Sequence, residues 1–345
     1  MTSSGHEVEV LVVGELNVDI VVSGPGAVPV FGQQENLVDD CQVVLGASSA
    51  IFACGIRRLG HATAMVGVIG DDAFGRVVSA ALTERGVDIS GVHVDPQLRT
   101  GTTIILNPGS DRALLTHLGT IGATRREHVP ANLLTRARHL HVGSVYLQRA
   151  LQPDVADLFD QAHRQGLTVS LDPNWDPSGE WTSLLPLLAH VDVAFVNEAE
   201  AARLTADLVP DGLAAEPAAY ALAGRMRAGA TMVVKRGAEG AVAVQNDRLW
   251  STAALPVQPV DTTGAGDSFD AGFIHGLLTG ADLPTCLAMG VACGSMSTRS
   301  AGGTGAQPDS EQLAAALDGI VSVHGPHRKA PDDSDDGRSR HPHRG

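Results

Sequence analysis

The stretch VEVLVVG, Val8 to Gly14, is a β-branched, mostly apolar run that ends in glycine. Such a run is typical of a strand buried on both faces in a parallel sheet. Further along, SSAIFACGIRRLG, Ser48 to Gly60, carries apolar residues at helical spacing, and the strand-like ATAMVGVIG, Ala62 to Gly70, follows it. Together these segments predict a unit of strand, helix and strand.

The same alternation continues along the chain. Strands that alternate with helices of this length imply right-handed crossovers and a parallel sheet with helices on both faces. We therefore predict an α/β fold with one doubly wound, mostly parallel sheet, in a single domain of residues 1 to 324. The further expected elements are helices at 74–86, 153–166 and 218–229 and strands at 139–143, 168–172, 192–196 and 231–235.

Two segments interrupt this alternation. Residues 15 to 44 are rich in Gly, Pro and Gln without a helical period, and residues 99 to 119 read as two strands around an NPGSD turn. We expect both segments to form a small β-sheet lid over the main domain. Residues 325 to 345 consist mainly of charged residues, Pro, Gly and His, so a disordered tail is expected there.

The composition favours a small-molecule partner. The chain has 345 residues, of which 43% are hydrophobic, and can bury a large core. Its 24 Lys and Arg against 39 Asp and Glu give a net charge of -15, which disfavours nonspecific binding to nucleic acid or to an anionic membrane. Aromatic residues make up 3% of the chain, too few for a surface that stacks single-stranded bases.

The cysteines and the start of the chain indicate a compartment. The four cysteines form no CxxC pair, so we expect buried free thiols in a reducing, cytoplasmic setting. The acidic start lacks the plan of a secretion signal, and no stretch approaches the ~18 apolar residues that a membrane span needs. A soluble protein is expected.

The stretch DTTGAGDSFDAGF, Asp261 to Phe273, carries the first functional signal. Gly264, Ala265 and Gly266 have side chains too small to block an approaching anion, and apolar residues at helical spacing follow as far as Gly280. The turn is therefore expected at a helix N-terminus. There, unpaired N–H groups and the positive end of the helix dipole favour a phosphate.

Asp267 falls in the first turn of that helix. Beside a bound phosphate its carboxylate becomes a proton acceptor, and an alcohol between the two groups can lose its proton as it attacks in line. This arrangement predicts a phosphotransferase. From the spacing alone an ordinary helix N-cap, with glycines for the turn and an acid in the first turn, explains the stretch equally well. The absence of GxxxxGK[ST] disfavours a P-loop enzyme.

Over residues 8 to 320 the sequence resembles the ribokinase-like (PfkB) carbohydrate kinase family, whose most specific signature is D-T-T/x-G-A-G-D before a helix rich in small residues. The resemblance implies an ATP-dependent kinase that phosphorylates a primary alcohol of a sugar or sugar-like acceptor. It also implies that Asp267 is the catalytic base and that the backbone of Gly264, Ala265 and Gly266 holds the transferred phosphoryl group.

Two further motifs of that family concern the nucleotide. NEAE, Asn197 to Glu200, matches N-x-x-E, which implies that Asn197 lies at the nucleotide and that Glu200 holds Mg²⁺ through water. KRGAEG resembles the family's glycine loop against the nucleotide, with Lys235, Gly237 and Gly240 in the matching positions.

The resemblance also implies a monovalent cation such as K⁺. The stretch GVACGSMSTRSAGGTGA, residues 290 to 306, corresponds to the helix and loop that border the adenine and this cation in many members. Asp261 and Thr263 match the other side of the cation site.

On the acceptor side, GELNVD matches G-x-x-N-x-D, which implies that Asn17 and Asp19 hydrogen-bond sugar hydroxyls. The family's G-G-x-x-x-N appears here as GASSAI, with Gly46 retained and isoleucine in place of the asparagine. We expect Ser48 or Ser49 to supply the missing contact. This departure weakens any assignment to ribose or fructose.

Two other functions remain open from the sequence. One is a nucleoside kinase of the same fold, which needs an apolar or aromatic slot for the base. The other is a non-catalytic sugar or nucleotide sensor that kept the fold, although the intact GAGD and NEAE motifs favour catalysis. Lid strands pair between subunits in some family members, so the resemblance also permits a homodimer.

Overall fold

A central sheet and a smaller separate sheet make up the computed structural model, which describes residues 8–109, 112–208, 212–317 and 323–328. The strands are β1 Val10–Val13, β2 Asn17–Ser23, β3 Asp40–Leu45, β4 Thr63–Gly70, β5 Asp88–Asp95, β6 Gly101–Asn107, β7 Ala113–His117, β8 His139–Gly143, β9 Thr168–Asp172, β10 Val193–Asn197, β11 Thr231–Lys235, β12 Ala241–Gln245, β13 Arg248–Thr252 and β14 Val323–Arg328. The helices are α1 Ser48–Arg58, α2 Ala73–Glu84, α3 Ala131–Leu134, α4 Val155–Arg164, α5 Glu198–Leu204, α6 Ala215–Ala223, α7 Ala265–Thr279, α8 Leu283–Ser297 and α9 Ser310–Leu317.

The central sheet has ten strands in the order β14-β13-β12-β11-β10-β9-β8-β1-β4-β5. Neighbours from β11 to β5 are parallel, whereas β12, β13 and β14 pair antiparallel at one side. The predicted doubly wound, mostly parallel sheet is therefore confirmed.

Hydrophobic layers cover both faces of this sheet. Along β1, Val10 and Val12 pack in the layer that includes α1, α2, α7, α8 and α9, whereas Leu11 and Val13 pack in the layer that includes α3 to α6. All four side chains are fully buried. Burial on both faces explains why the first strand reads as a nearly continuous apolar run rather than an alternating one.

The smaller sheet has the order β3-β2-β6-β7 and is built from the two segments predicted to form the lid. Strand β2 pairs antiparallel with β3 and parallel with β6, and β6 pairs antiparallel with β7. The pairing sets two rows of side chains on opposite faces. One row is Val44, Asp19, Thr103 and Thr116, and the other is Val43, Ile20, Ile104 and Leu115.

The carboxyl end differs from the prediction. Residues 325 to 328, expected in the disordered tail, belong to β14, which pairs antiparallel with β13. An edge strand is held by backbone hydrogen bonds to its neighbour, so a polar composition does not prevent it. The rest of the predicted tail, residues 329 to 345, lies outside the described residues.

Within the described ranges, no helix combines the length and the apolar character that a bilayer crossing needs.

Candidate active site

The turn at Gly264 starts helix α7, as the sequence predicts. Gly264 is the N-cap residue, with φ 70° and ψ 8°, a left-handed conformation that glycine adopts without strain. A Cβ at this position would lie 2.8 Å from Cα of Gly303, so the close approach of the two loops also requires glycine. The helix ends at Thr279, with Gly280 as its left-handed C-cap.

The first backbone amides of α7 are available to a ligand. The amide of Ala265 donates to the carbonyl of Thr262 at 3.3 Å, and the amide of Ser268 donates to the carbonyl of Gly264 at 2.9 Å. Within the described part of the chain, the amides of Gly266 and Asp267 have no protein acceptor, and no side chain caps the helix. The ordinary side-chain N-cap is therefore not formed, and the helix start can bind an anion.

Asp267 lies at the bottom of this turn with 8% of its surface exposed. Burial raises the pKa of its carboxyl group from 3.8 to about 7, and the nearby Asp172 and Glu15 add to the shift. The Lys235 ammonium and a hydrogen bond with Ser48 act in the opposite direction. A carboxylate with a pKa near neutrality is suited to accept a proton at physiological pH.

The predicted acceptor residues lie together beside Ser48. The Asn17 side chain donates from Nδ2 to Oδ1 of Asp19 at 2.9 Å, and both residues are buried. A Cβ on Gly46 would lie 2.3 Å from Oδ1 of Asp19, so the glycine leaves the room that this pair occupies. Burial raises the pKa of Asp19 to about 6. Because Ser48 hydrogen-bonds to Asp267, the acceptor residues and the expected base share one site.

Glu15 is a buried acid close enough to raise the pKa of Asp267, and the sequence did not predict it. Its carboxylate accepts from Oγ of Ser49 at 2.6 Å and from Oγ of Ser144 at 2.8 Å, which joins the ends of β1 and β8 to the start of α1. Burial raises the pKa of Glu15. An acid directly after a strand buried on both faces was the available signal, since such a side chain needs polar partners.

A cavity of about 440 Å³ opens beside the start of α7. The residues predicted to contact the nucleotide, Lys235, Gly237 and Gly240, line it together with Gly266. Most of its wall is apolar and comes from residues 254 to 259 and from α8, as a purine base requires. The sequence predicted that the 290–306 stretch borders the adenine, but it did not predict the contribution of residues 254 to 259 to the cavity wall.

The NEAE motif forms a capping box at the start of α5. The amide of Glu200 donates to Oδ1 of Asn197 at 2.9 Å, and the amide of Asn197 donates to Oε2 of Glu200 at 2.9 Å. Burial, followed by the charge of Asp172, raises the pKa of Glu200 to about 7. Asn197 and Glu200 are not among the residues that line the cavity.

Asp261 and Thr263 hold the loop before the turn. The Asp261 carboxylate accepts from the amide of Thr263 at 2.9 Å and from the amide of Gly302 at 2.9 Å. From the lid, Nη1 of Arg112 donates to Oγ1 of Thr263 at 3.3 Å. The lid therefore contacts the loop before α7 directly, which the sequence did not predict.

Across the described ranges, no group of three or more His, Cys, Asp or Glu residues is arranged to hold a metal ion.

A comparison with protein families matches residues 8–310 to the pfkB family carbohydrate kinases. The chain belongs to this family. The enzyme class predicted from the sequence, an ATP-dependent carbohydrate kinase, is thereby confirmed.

Individual relatives of this pfkB kinase agree. A fructokinase of Salmonella typhimurium is 28% identical over 313 residues, which cover 86% of this chain and 99% of the relative. An ATP-dependent ribose-1-phosphate kinase of Halopiger xanaduensis is 30% identical and covers 79% of this chain and 86% of its own length. A candidate ribokinase II from E. coli, solved with ATP and Mg²⁺, has a TM-score of 0.78 at 24% identity and covers 90% of this chain and 99% of its own.

Proposed function

We propose that this pfkB kinase transfers the terminal phosphoryl group of ATP to a primary alcohol of a sugar or sugar-like acceptor, with Asp267 as the general base. One observation carries the proposal. A buried carboxyl group with a pKa of about 7 lies beside two backbone amides, of Gly266 and Asp267, that bind no other protein group in the described chain.

The geometry supports an in-line transfer. The base and ribose of ATP occupy the cavity that Gly237 and Gly240 line, and its phosphates extend toward Gly266. Asn17 and Asp19 bind hydroxyls of the acceptor, which places one alcohol between Asp267 and the amides. The alcohol oxygen attacks the terminal phosphorus, the bond from that phosphorus to the ADP oxygen breaks, and Asp267 takes the alcohol proton.

The residues expected at the metal sites fit cations. Mg²⁺ neutralises charge on the transferring phosphates when it is bound. Glu200, which is buried near the negative charge of Asp172, would hold this ion through water, with Asn197 beside the nucleotide, because a cation there would stabilise the ionised carboxylate. Asp261 and Thr263 would hold K⁺, because each carboxylate oxygen of Asp261 keeps a lone pair beyond the one that accepts a backbone amide.

A homodimer through the lid is part of the proposal. The row of the lid sheet formed by Val43, Ile20, Ile104 and Leu115 is apolar. In this row Ile104, Leu115 and Val43 are exposed by 36%, 58% and 47%. It lies on the face opposite Asp19, so a second copy could cover it while the acceptor face stays in place. Light scattering should show a dimer, and Leu115→Lys should give a monomer. A monomeric wild type would contradict this part.

The compartment remains an inference from the thiols. All four cysteines are free, which agrees with a reducing cytoplasm, but the predicted burial holds only for Cys54, Cys286 and Cys293, because Cys41 lies on an exposed part of β3.

The acceptor is found by measuring ADP release with ATP, Mg²⁺ and a panel of sugars, sugar acids, polyols and nucleosides. Turnover with a sugar or polyol supports the proposal. Turnover confined to nucleosides would favour a nucleoside kinase. Binding of ATP and sugar in a calorimetric titration, without any ADP production, would favour the non-catalytic sensor and contradict the proposal.

A further inference from the structure

Three buried ionisable side chains meet beside the phosphate end of the nucleotide cavity. Nζ of Lys235 lies 2.6 Å from Oδ2 of Asp172 and 3.2 Å from Oδ1 of Asp270. The side chains are exposed by 13%, 4% and 1%, respectively. They come from the ends of β11 and β9 and from the second turn of α7. Buried charges need partners of this quality, because removal from water is strongly unfavourable.

The cluster has two acids for one cation. Asp172 and Asp270 are also hydrogen-bonded to each other, and a hydrogen bond between two carboxyl groups requires a proton on one of them. Burial raises the pKa of Asp270 well above its ordinary range. Burial acts on Asp172 as well, but the charge of Lys235 and the hydrogen bonds outweigh it and lower the pKa of Asp172. A proton shared by the two acids therefore favours Asp270, which also accepts from Nζ of Lys235.

The cluster lies against the anion-binding turn. A Cβ on Gly266 would be 3.1 Å from Nζ of Lys235, and both residues line the nucleotide cavity. Asp270 is three residues after Asp267 on α7, so the two acids share one side of the helix. The sequence predicted Lys235 at the nucleotide, but two acids hold its ammonium group in place.

We propose that Asp270 is a positioning residue for phosphoryl transfer, which together with Asp172 fixes the ammonium group of Lys235 beside Gly266. A lysine side chain has four flexible carbon–carbon bonds, and its charge stabilises a transition state best when it is already in place. This inference rests on the proposed function, since it places the transferring phosphoryl group at Gly266.

A double-mutant cycle tests the proposal. Asp270→Leu keeps the number and branching of the side-chain heavy atoms but loses both polar contacts, and we expect kcat to fall on the order of tenfold to a hundredfold. Asp270→Asn should recover most of this loss, because its amide donates to Asp172 and its carbonyl accepts from Lys235. In a Lys235→Met background, Asp270→Leu should add little.

The pH profile separates positioning from a merely structural role. The groups that act on the Asp267 carboxylate are Asp172, Glu15, Lys235 and the Ser48 hydroxyl. Among these groups, only Lys235 carries a positive charge, which favours the ionised form of the Asp267 carboxylate. The acid limb of kcat should therefore move to higher pH in Asp270→Leu and in Lys235→Met, and return toward the wild-type position in Asp270→Asn.

Two results would overturn the proposal. One is an effect of Asp270→Leu that is equally large in the Lys235→Met background, and the other is an Asn variant as impaired as the Leu variant. Urea unfolding checks that each variant is folded. If wild-type turnover is absent, the proposed function fails instead. The same cycle is then measured on ATP affinity by calorimetry, and a lack of coupling between Asp270 and Lys235 again refutes the inference.

Discussion

Replacing Asp267 by Asn should stabilise the folded protein while it abolishes turnover. In the folded chain the carboxyl group titrates at about 7, against 3.8 for an ordinary Asp. The unfolded chain therefore releases this proton first, and stability falls as pH rises between these two values. Because of this shift of about 3 pH units, the wild type has lost about 4 kcal/mol of stability at pH 8. The neutral Asn side chain does not ionise, so the variant keeps this stability.

The pH dependence makes this prediction specific. At pH 5, which is about 1.2 pH units above 3.8, the wild type has lost only part of this stability. The free energy of unfolding of the Asn variant, relative to the wild type, should therefore be about 3 kcal/mol higher at pH 8 than at pH 5. Urea unfolding without nucleotide, followed by circular dichroism at both pH values, measures the difference. Turnover of the variant should fall on the order of 10² to 10⁴-fold, with ATP affinity retained.

Equal stabilisation at both pH values would show that Asp267 ionises normally and would refute the burial argument. Substantial turnover by the Asn variant would remove its assignment as the base.

Three further predictions concern the same site. The kcat/KM of the wild type should fall about tenfold per pH unit below pH 7, because Asp267 must be ionised to accept a proton, and a profile flat to pH 5 would contradict this. Gly46→Ala should raise the acceptor KM about tenfold and leave the ATP KM in place, since its Cβ would meet Asp19 at 2.3 Å. Gly224→Ala, whose Cβ would have no neighbour closer than 3.5 Å, is the control for that variant, and equal effects of the two would refute the steric argument. Val291→Phe fills part of the 440 Å³ cavity, so calorimetry should show weaker ATP binding with unaltered acceptor binding, and unchanged ATP affinity would place the nucleotide elsewhere.

Strands buried on both faces were the most predictable elements. The predicted bounds of β8, β9 and β11 coincide with the structure, because burial of both faces favours apolar residues along each strand. The polar exceptions inside β8 and β9, His141 and Ser170, hydrogen-bond to each other. Strand β5 was not predicted, since it is partly exposed and its sequence, DISGVHVD, mixes acids and glycine with valine. Helix α6 begins at Ala215 rather than at 218, because Pro217 is tolerated in a first turn.

Local motifs identified much of the candidate site, whereas its long-range pairings required the structure. The GAGD motif identified the start of α7, because small residues directly before an amphipathic run are a local sequence signal for a helix N-terminus. The partners of Lys235 are 63 and 35 residues away in sequence, and no local pattern connects them. The same holds for Arg112 and Thr263, which are 151 residues apart. Such contacts depend on strand order, which sequence periodicity does not specify.

The connection between β1 and β2 has a consequence for engineering. β1 ends at Val13 and β2 begins at Asn17, so Asn17 and Asp19, the pair proposed to bind the sugar, lie where the lid sheet joins the central sheet. Redesign of these positions for a new sugar would therefore also alter the strand that pairs with both β3 and β6. Changes that leave β2 intact are better sought at Thr116 on β7, which lies in the row of Asp19 and does not pair with β2.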